Sequence, residues 1–257
     1  MSNMVTLLRT ASTSAIAQVN DFNQKVFRTR GGRLGSGMGL LLEGLWGYET
    51  NRILVDAQIE VAWLVDHEYN DFAVVDVNSK WNPSTKEGEY FRVEIKSMNV
   101  GAEESKAHFD ELWKNIGEED QLVVLAWRWE EDGERVWPKV VDLYIGNARS
   151  VARLRDVMHQ ARGGTFVDGK KCPDGCSPSK CQHDGEPLNA SGKRERVFGP
   201  EATRVSQKVS HAQNFGGLVR MVKTRGSDAL SSLKLARSES EDAALYLDFI
   251  QRLRVSE

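Results

Sequence analysis

Four β-rich runs, and the lengths of chain between them, constrain this fold more than any other feature of the sequence. QIEVAWLVD (58–66), DFAVVDVN (71–78) and EYFRVEIKS (89–97) are dense in β-branched and aromatic residues. Only HEYN and SKWNPSTKEG separate them, and connections that short join antiparallel neighbours. The three runs therefore read as a meander. The fourth, QLVVLAWRWE (121–130), lies beyond EESKAHFDELWKNI, a stretch of helical composition. A crossover helix followed by a strand converts the meander into a mixed sheet. A further strand, KVVDLYIG, leads into the helix NARSVARLRDVMHQAR. The expected class is α/β, an α+β mixed sheet with the order helix, three strands, helix, strand.

Two helices precede this core. One is expected around 11–28, then a Gly-rich loop, RTRGGRLGSGMG, then a helix over LLLEGLWGYETNRIL with Leu41, Leu45 and Tyr48 on its apolar side. The Gly-rich segment is not a nucleotide-binding P-loop, because no Gly-Lys-Ser/Thr follows it. With 257 residues, 40% of them hydrophobic, the chain can fill a core. Its apolar runs fall far short of the roughly 20 residues a membrane span needs, so no membrane partner is expected and a cytoplasmic location is. The alternative is a transit peptide, suggested by the Ser, Thr and Arg of the first twenty residues.

Within the third run, Glu94 and Lys96 stand two apart and so share one face of the strand. A carboxylate and an ammonium at a strand tip suit the hydrolysis of a phosphodiester. A hard cation such as Mg²⁺ takes one or two protein carboxylates, and an ammonium can orient water or offset developing charge. A second acid is needed. In an antiparallel pair, opposed residues have a constant number sum, and a turn near 83–84 puts Asp71 opposite the Glu94–Lys96 tip. Asp76 falls near Phe91 instead and is the fallback if a bulge shifts the register. The opposing reading is a solvated strand face bearing an ion pair.

The segments Asn70-Asp71-Phe72-Ala73-Val74-Val75 and Val93-Glu94-Ile95-Lys96-Ser97, in this order of elements, resemble the PD-(D/E)xK nuclease superfamily, which includes many type II restriction endonucleases. Asn70 stands where that motif has its proline. The resemblance covers about residues 40–150 and implies a restriction-endonuclease-like αβββαβ core. It also implies a Mg²⁺-dependent phosphodiesterase, with Asp71 and Glu94 as metal ligands and Lys96 beside the attacking water. A glutamate from the preceding helix often joins such sites, and either Glu43 or Glu49 matches that position.

All three cysteines, Cys172, Cys176 and Cys181, lie in KCPDGCSPSKCQHDG, with His183 two residues after the last. An odd, clustered set without a secretory signal points to metal, and Cys₃His suits a structural Zn²⁺ that would staple a loop lacking its own core. His159 or His211 could replace His183, and three reduced thiols in a loop are the alternative. Net charge is −3, unevenly spread. Residues 1–150 carry 16 Lys and Arg against 24 Asp and Glu, whereas residues 151–257 carry 18 against 13. Within the basic part, Lys193, Arg194, Arg196, Arg204 and Lys208 are candidates for contacting a nucleic-acid backbone.

These features divide the chain into an N-terminal helix and Gly-rich loop (1–39), a nuclease core (40–162), a Cys/His zinc loop (163–200) and a C-terminal region of two helices (201–257). The functional expectation is a restriction-type endonuclease that cuts double-stranded DNA as a homodimer, since both strands must be cut. Two alternatives stand beside it: a structure-specific or exonucleolytic defence or repair nuclease, and a non-catalytic zinc-stabilised module that binds DNA or protein.

Overall fold

The computed structural model describes residues 2–27, 35–64, 70–101, 109, 111–133, 135–161, 163–172, 181, 183–192, 217–218 and 240–255. The chain divides into two compact units. The first comprises Met1–Ala107, Gly117–Arg149 and Asp248–Glu257, and the second His108–Ile116 and Ser150–Leu247.

The first unit is built on a five-stranded mixed sheet. Its strands are β1 (Ile59–Trp63), β2 (Phe72–Asp76), β3 (Glu89–Asn99), β4 (Gln121–Asp132) and β5 (Arg135–Asn147), in spatial order β1-β2-β3-β4-β5. All neighbours are antiparallel except β3 and β4, which run parallel from Val93↔Gln121 to Asn99↔Trp127. The meander and the crossover are thus as expected. The crossover itself is not a continuous helix where it is described. Residues 102–108 and 110 lie outside the described residues, and 113–115 form one 3-10 turn flanked by extended Leu112 and Ile116. Helical composition yields there to tertiary contacts, because the Trp113 ring packs beneath Arg153 at 4.5 Å.

Two helices cover the sheet face formed by Phe72, Val74, Phe91, Val93 and Ile95. Helix α1 (Ser2–Val26) is longer than expected and buries Leu8, Ala11, Ala15 and Val19, a stripe at helical spacing. Asn20 clamps it to β5 by donating to Val140 O at 2.9 Å while its Oδ1 accepts from Val140 N at 2.8 Å. Helix α2 (Gly35–Leu54) begins inside the segment expected to be a loop. The glycines serve close packing: a Cβ on Gly39 would lie 2.6 Å from Ser97 Oγ, and one on Gly47 2.9 Å from the Phe72 ring. Its buried side is Met38, Leu42 and Trp46, while Leu41 and Tyr48 are exposed. The helix is therefore rotated from the phase its leucines suggest.

In the second unit, helix α3 (Ala148–Ala161, its first two residues in the first unit) is followed by two short antiparallel strands, β6 (Thr165–Phe166) and β7 (Pro187–Leu188). The segment after residue 162 is accordingly not structureless. Helix α4 (Glu241–Val255, its residues from Asp248 on in the first unit) is N-capped by Ser240, whose Oγ accepts from Ala243 N at 3.1 Å. It buries Ala243, Tyr246, Leu247, Phe249 and Ile250, whereas Leu245 is exposed. The other expected C-terminal helix falls on residues outside those described, apart from Gly217 and Leu218, which form a bridge and a turn. Among the described residues, no helix is long and apolar enough to cross a membrane.

Candidate functional site

The β2–β3 ladder pairs Phe72 with Val93 and Ala73 with Arg92, so its continuation sets Asp71 beside Glu94. The backbone agrees: Asp71 N donates to Val93 O at 3.1 Å. A bulge does occur, between Val74 and Val75, but it lies on the far side of Asp71 and leaves the tip in register. Asp76 donates from its N to Gly88 O at 3.0 Å and is not opposite Phe91. Its carboxylate accepts from Asn78 N at 2.8 Å and Ser79 Oγ at 3.2 Å, closing a turn away from the site.

At the tip, Lys96 Nζ is in direct contact with Glu94 Oε1 and lies 3.9 Å from Asp71 Oδ2. That Asp71 oxygen accepts from Ile95 N at 2.9 Å, which locks the carboxylate across the two strands. From α2, Glu43 Oε1 accepts from Ser97 N at 3.0 Å. Gly39, one turn earlier, is what lets the helix come this close to Ser97. Glu49 is elsewhere, paired with Arg52 at 2.9 Å. Three carboxylates and one ammonium thus converge on one strand end.

Burial sets the electrostatics. It pushes the Glu94 carboxyl up to about 8, with Lys96 opposing and Asp71 adding to the rise. Burial also raises Glu43, against the pull of Lys96. For Lys96 burial disfavours the charge, yet Glu94 and then Asp71 outweigh it and its pKa is raised. One Glu94 oxygen, Oε2, is buried and has no hydrogen-bond partner among the described residues, and the same holds for Nδ2 of Asn70. An orphaned carboxylate oxygen flanked by a second carboxylate is donor chemistry of the kind a hard divalent cation uses. The sequence reading did not single out Asn70 for a role of its own; its burial arises only in the folded sheet.

In the second unit Cys172, Cys181 and His183 each bring one ligand atom to within 4.8 Å of the others, a group that could hold a metal ion. The two Sγ atoms are 2.7 Å apart, and His183 Nδ1 is 3.9 Å from Cys181 Sγ. His183 N donates to Cys181 Sγ at 3.4 Å. Around tetrahedral zinc two thiolates stand about 3.8 Å apart, so loading would open the sulfur pair by roughly 1 Å. Cys176 lies outside the described residues, as do Lys193, Arg194, Arg196, Arg204, Lys208 and His211. His159 is not part of the cluster: its ring Nε2 is 3.2 Å from Thr165 O.

No family model matches the chain, and a search of curated proteins finds no match either.

Proposed function

We propose that the chain is a Mg²⁺-dependent nuclease of the PD-(D/E)xK type that hydrolyses phosphodiester bonds of double-stranded DNA, of the restriction kind and acting as a homodimer. The observation that supports it best is the half-satisfied Glu94 carboxylate, buried between Asp71 and Lys96 at the end of β3. A purely structural ion pair has no use for two further carboxylates nearby, since each adds repulsion that burial magnifies.

Asp71 and Glu94 would hold the cation, which supplies charge neutralisation on the phosphate and a more acidic water. Glu94 must lose its proton for this, and binding of the cation drives that loss. Lys96 Nζ orients the attacking water by hydrogen bonding. As the water oxygen bonds to phosphorus it gives up a proton to solvent, the ester P–O bond breaks, the leaving oxygen takes a proton from solvent, and Lys96 stabilises the charge that develops. Glu43 holds the backbone of Ser97, and hence the tip of β3, in place. A structural Zn²⁺ on Cys172, Cys181 and His183 completes the reading, with the sequence placing Cys176 between the two cysteines as a candidate fourth ligand.

The test is incubation of the purified chain with supercoiled plasmid and phage DNA in Mg²⁺ or EDTA, beside Glu94→Ala and Lys96→Ala. Mg²⁺-dependent fragments that vanish in both variants are expected. DNA left intact across plasmid, phage and branched substrates would overturn the reading in favour of a binding module. Cleavage confined to branched or free-ended substrates would favour a structure-specific or exonucleolytic enzyme.

A further inference from the structure

The second unit contains a cavity of about 380 Å³ that phosphodiester cleavage leaves without a role. Its size falls among small-ligand clefts, roughly 300–1,000 Å³. One wall is a single face of α3, carrying Arg153, Asp156 and Gln160 at positions i, i+3 and i+7. The opposite face of that helix is buried through Val151, Leu154, Arg155 and Met158, so the wall is rigidly backed. Trp113 and Lys114 supply a second wall and Phe166 of β6 a third.

The chemistry of this lining is specific. Arg153 lies over the Trp113 ring at 4.5 Å, and Lys114 is held by Asp184 Oδ2 at 2.9 Å, so two cations border two aromatic rings. Asp156 is 8% exposed, and Arg155 occupies only its Oδ1, at 2.8 and 3.0 Å. Among the described residues no donor reaches its other oxygen. Flat apolar surface, an acceptor carboxylate, an amide and flanking cations match a planar heterocycle with a polar edge and an attached phosphate.

We propose that this cavity binds a single nucleobase with its phosphate, taken out of the helical stack, and that it selects bases bearing an exocyclic amino group over thymine. A glutamine can pair with the N6/N7 edge of adenine, and a carboxylate accepts from the amino group of cytosine or adenine, whereas thymine presents only an acceptor and a methyl group in the same place. Extruding one base costs a few kcal/mol, which the enclosed contacts must offset. That the base comes from DNA rests on the nuclease reading; the chemistry of the cavity does not.

The test is titration of the full chain with each of the four deoxynucleoside monophosphates, without Mg²⁺, by calorimetry or saturation-transfer NMR. Arg153→Ala and Gln160→Ala serve as variants because both positions are exposed and leave the packed face of α3 intact. The expectation is saturable binding of dAMP or dCMP at least tenfold tighter than dTMP, weakened fivefold or more in each variant and unchanged in Glu94→Ala. No saturable binding, or equal binding of all four nucleotides that neither variant alters, would overturn it. Plasmid cleavage assayed in parallel separates the two readings. Discrimination among nucleotides without cleavage sinks the nuclease and keeps the cavity, and cleavage without nucleotide binding does the reverse.

Discussion

Replacing Glu94 by Gln should change how the stability of the metal-free protein depends on pH. In the unfolded chain this carboxyl titrates near its ordinary value of 4.5, and in the folded chain near 8. Between those values the folded state holds one proton more than the unfolded state. The stability this group contributes is therefore fully present below 4.5 and is lost as pH rises through about 8. The slope is about −1.4 kcal/mol per pH unit, and the whole window amounts to about 5 kcal/mol. Gln keeps the shape and removes the titration. Urea unfolding followed by circular dichroism in EDTA, from about pH 5 to pH 9, gives both curves. Glu43, also raised, contributes the same sign to both proteins and cancels in their difference. In the wild type Lys96 is raised, Glu94 and Asp71 outweighing its burial, and lies above the window. The wild-type minus Glu94→Gln difference should fall steadily from about pH 5.5 to 7.5 and flatten when Mg²⁺ is added. A difference that stays level, or rises with pH, refutes the argument that burial governs this carboxyl.

Glu43→Ala should reduce Mg²⁺-dependent cleavage at least tenfold, whereas Glu49→Ala, which removes a buried carboxylate paired with Arg52 away from the site, leaves turnover unchanged; kinetics of both variants check this. Gly47→Ala drives a methyl against the buried Phe72 ring and should destabilise by about 1–3 kcal/mol in denaturant titration. Arg92→Ala leaves the Glu89 carboxylate, whose side chain is 3% exposed, without its cation and with only Trp81 Nε1 donating to it among the described residues, and should cost roughly 3–5 kcal/mol, with Arg92→Lys recovering only part. Metal analysis should find one zinc per chain, lost in Cys181→Ser, and a chelator should lower the melting temperature; metal-free protein whose thiols resist alkylation would instead indicate a disulfide.

The strand meander and the alignment of Asp71 with Glu94 and Lys96 were legible in the sequence because each is local, and the parallel β3–β4 step because a connection as long as 100–120 permits a crossover. Side-chain alternation has a period of two, and short connections allow one pairing direction, so counting residues across a turn suffices. The Cys/His cluster was legible for the same reason, its described ligands spanning twelve residues from Cys172 to His183. What the sequence could not rank were Glu43 and Glu49, nor could it show that the Gly-rich segment begins a helix. Both depend on how α2 rotates and how near it approaches Ser97 and Phe72, which the volumes of residues distant in sequence determine. The expected helix over 103–116 was misread, where it is described, because propensity there is weaker than the packing of Trp113 under Arg153. The cavity drew on Trp113, α3 and Phe166, segments with no shared pattern along the chain. Sequence by itself determined which side chains meet at one strand end. Only tertiary packing decided which helix residue joins that site and where a second binding surface forms, since such contacts depend on distances in space that no spacing along the chain records.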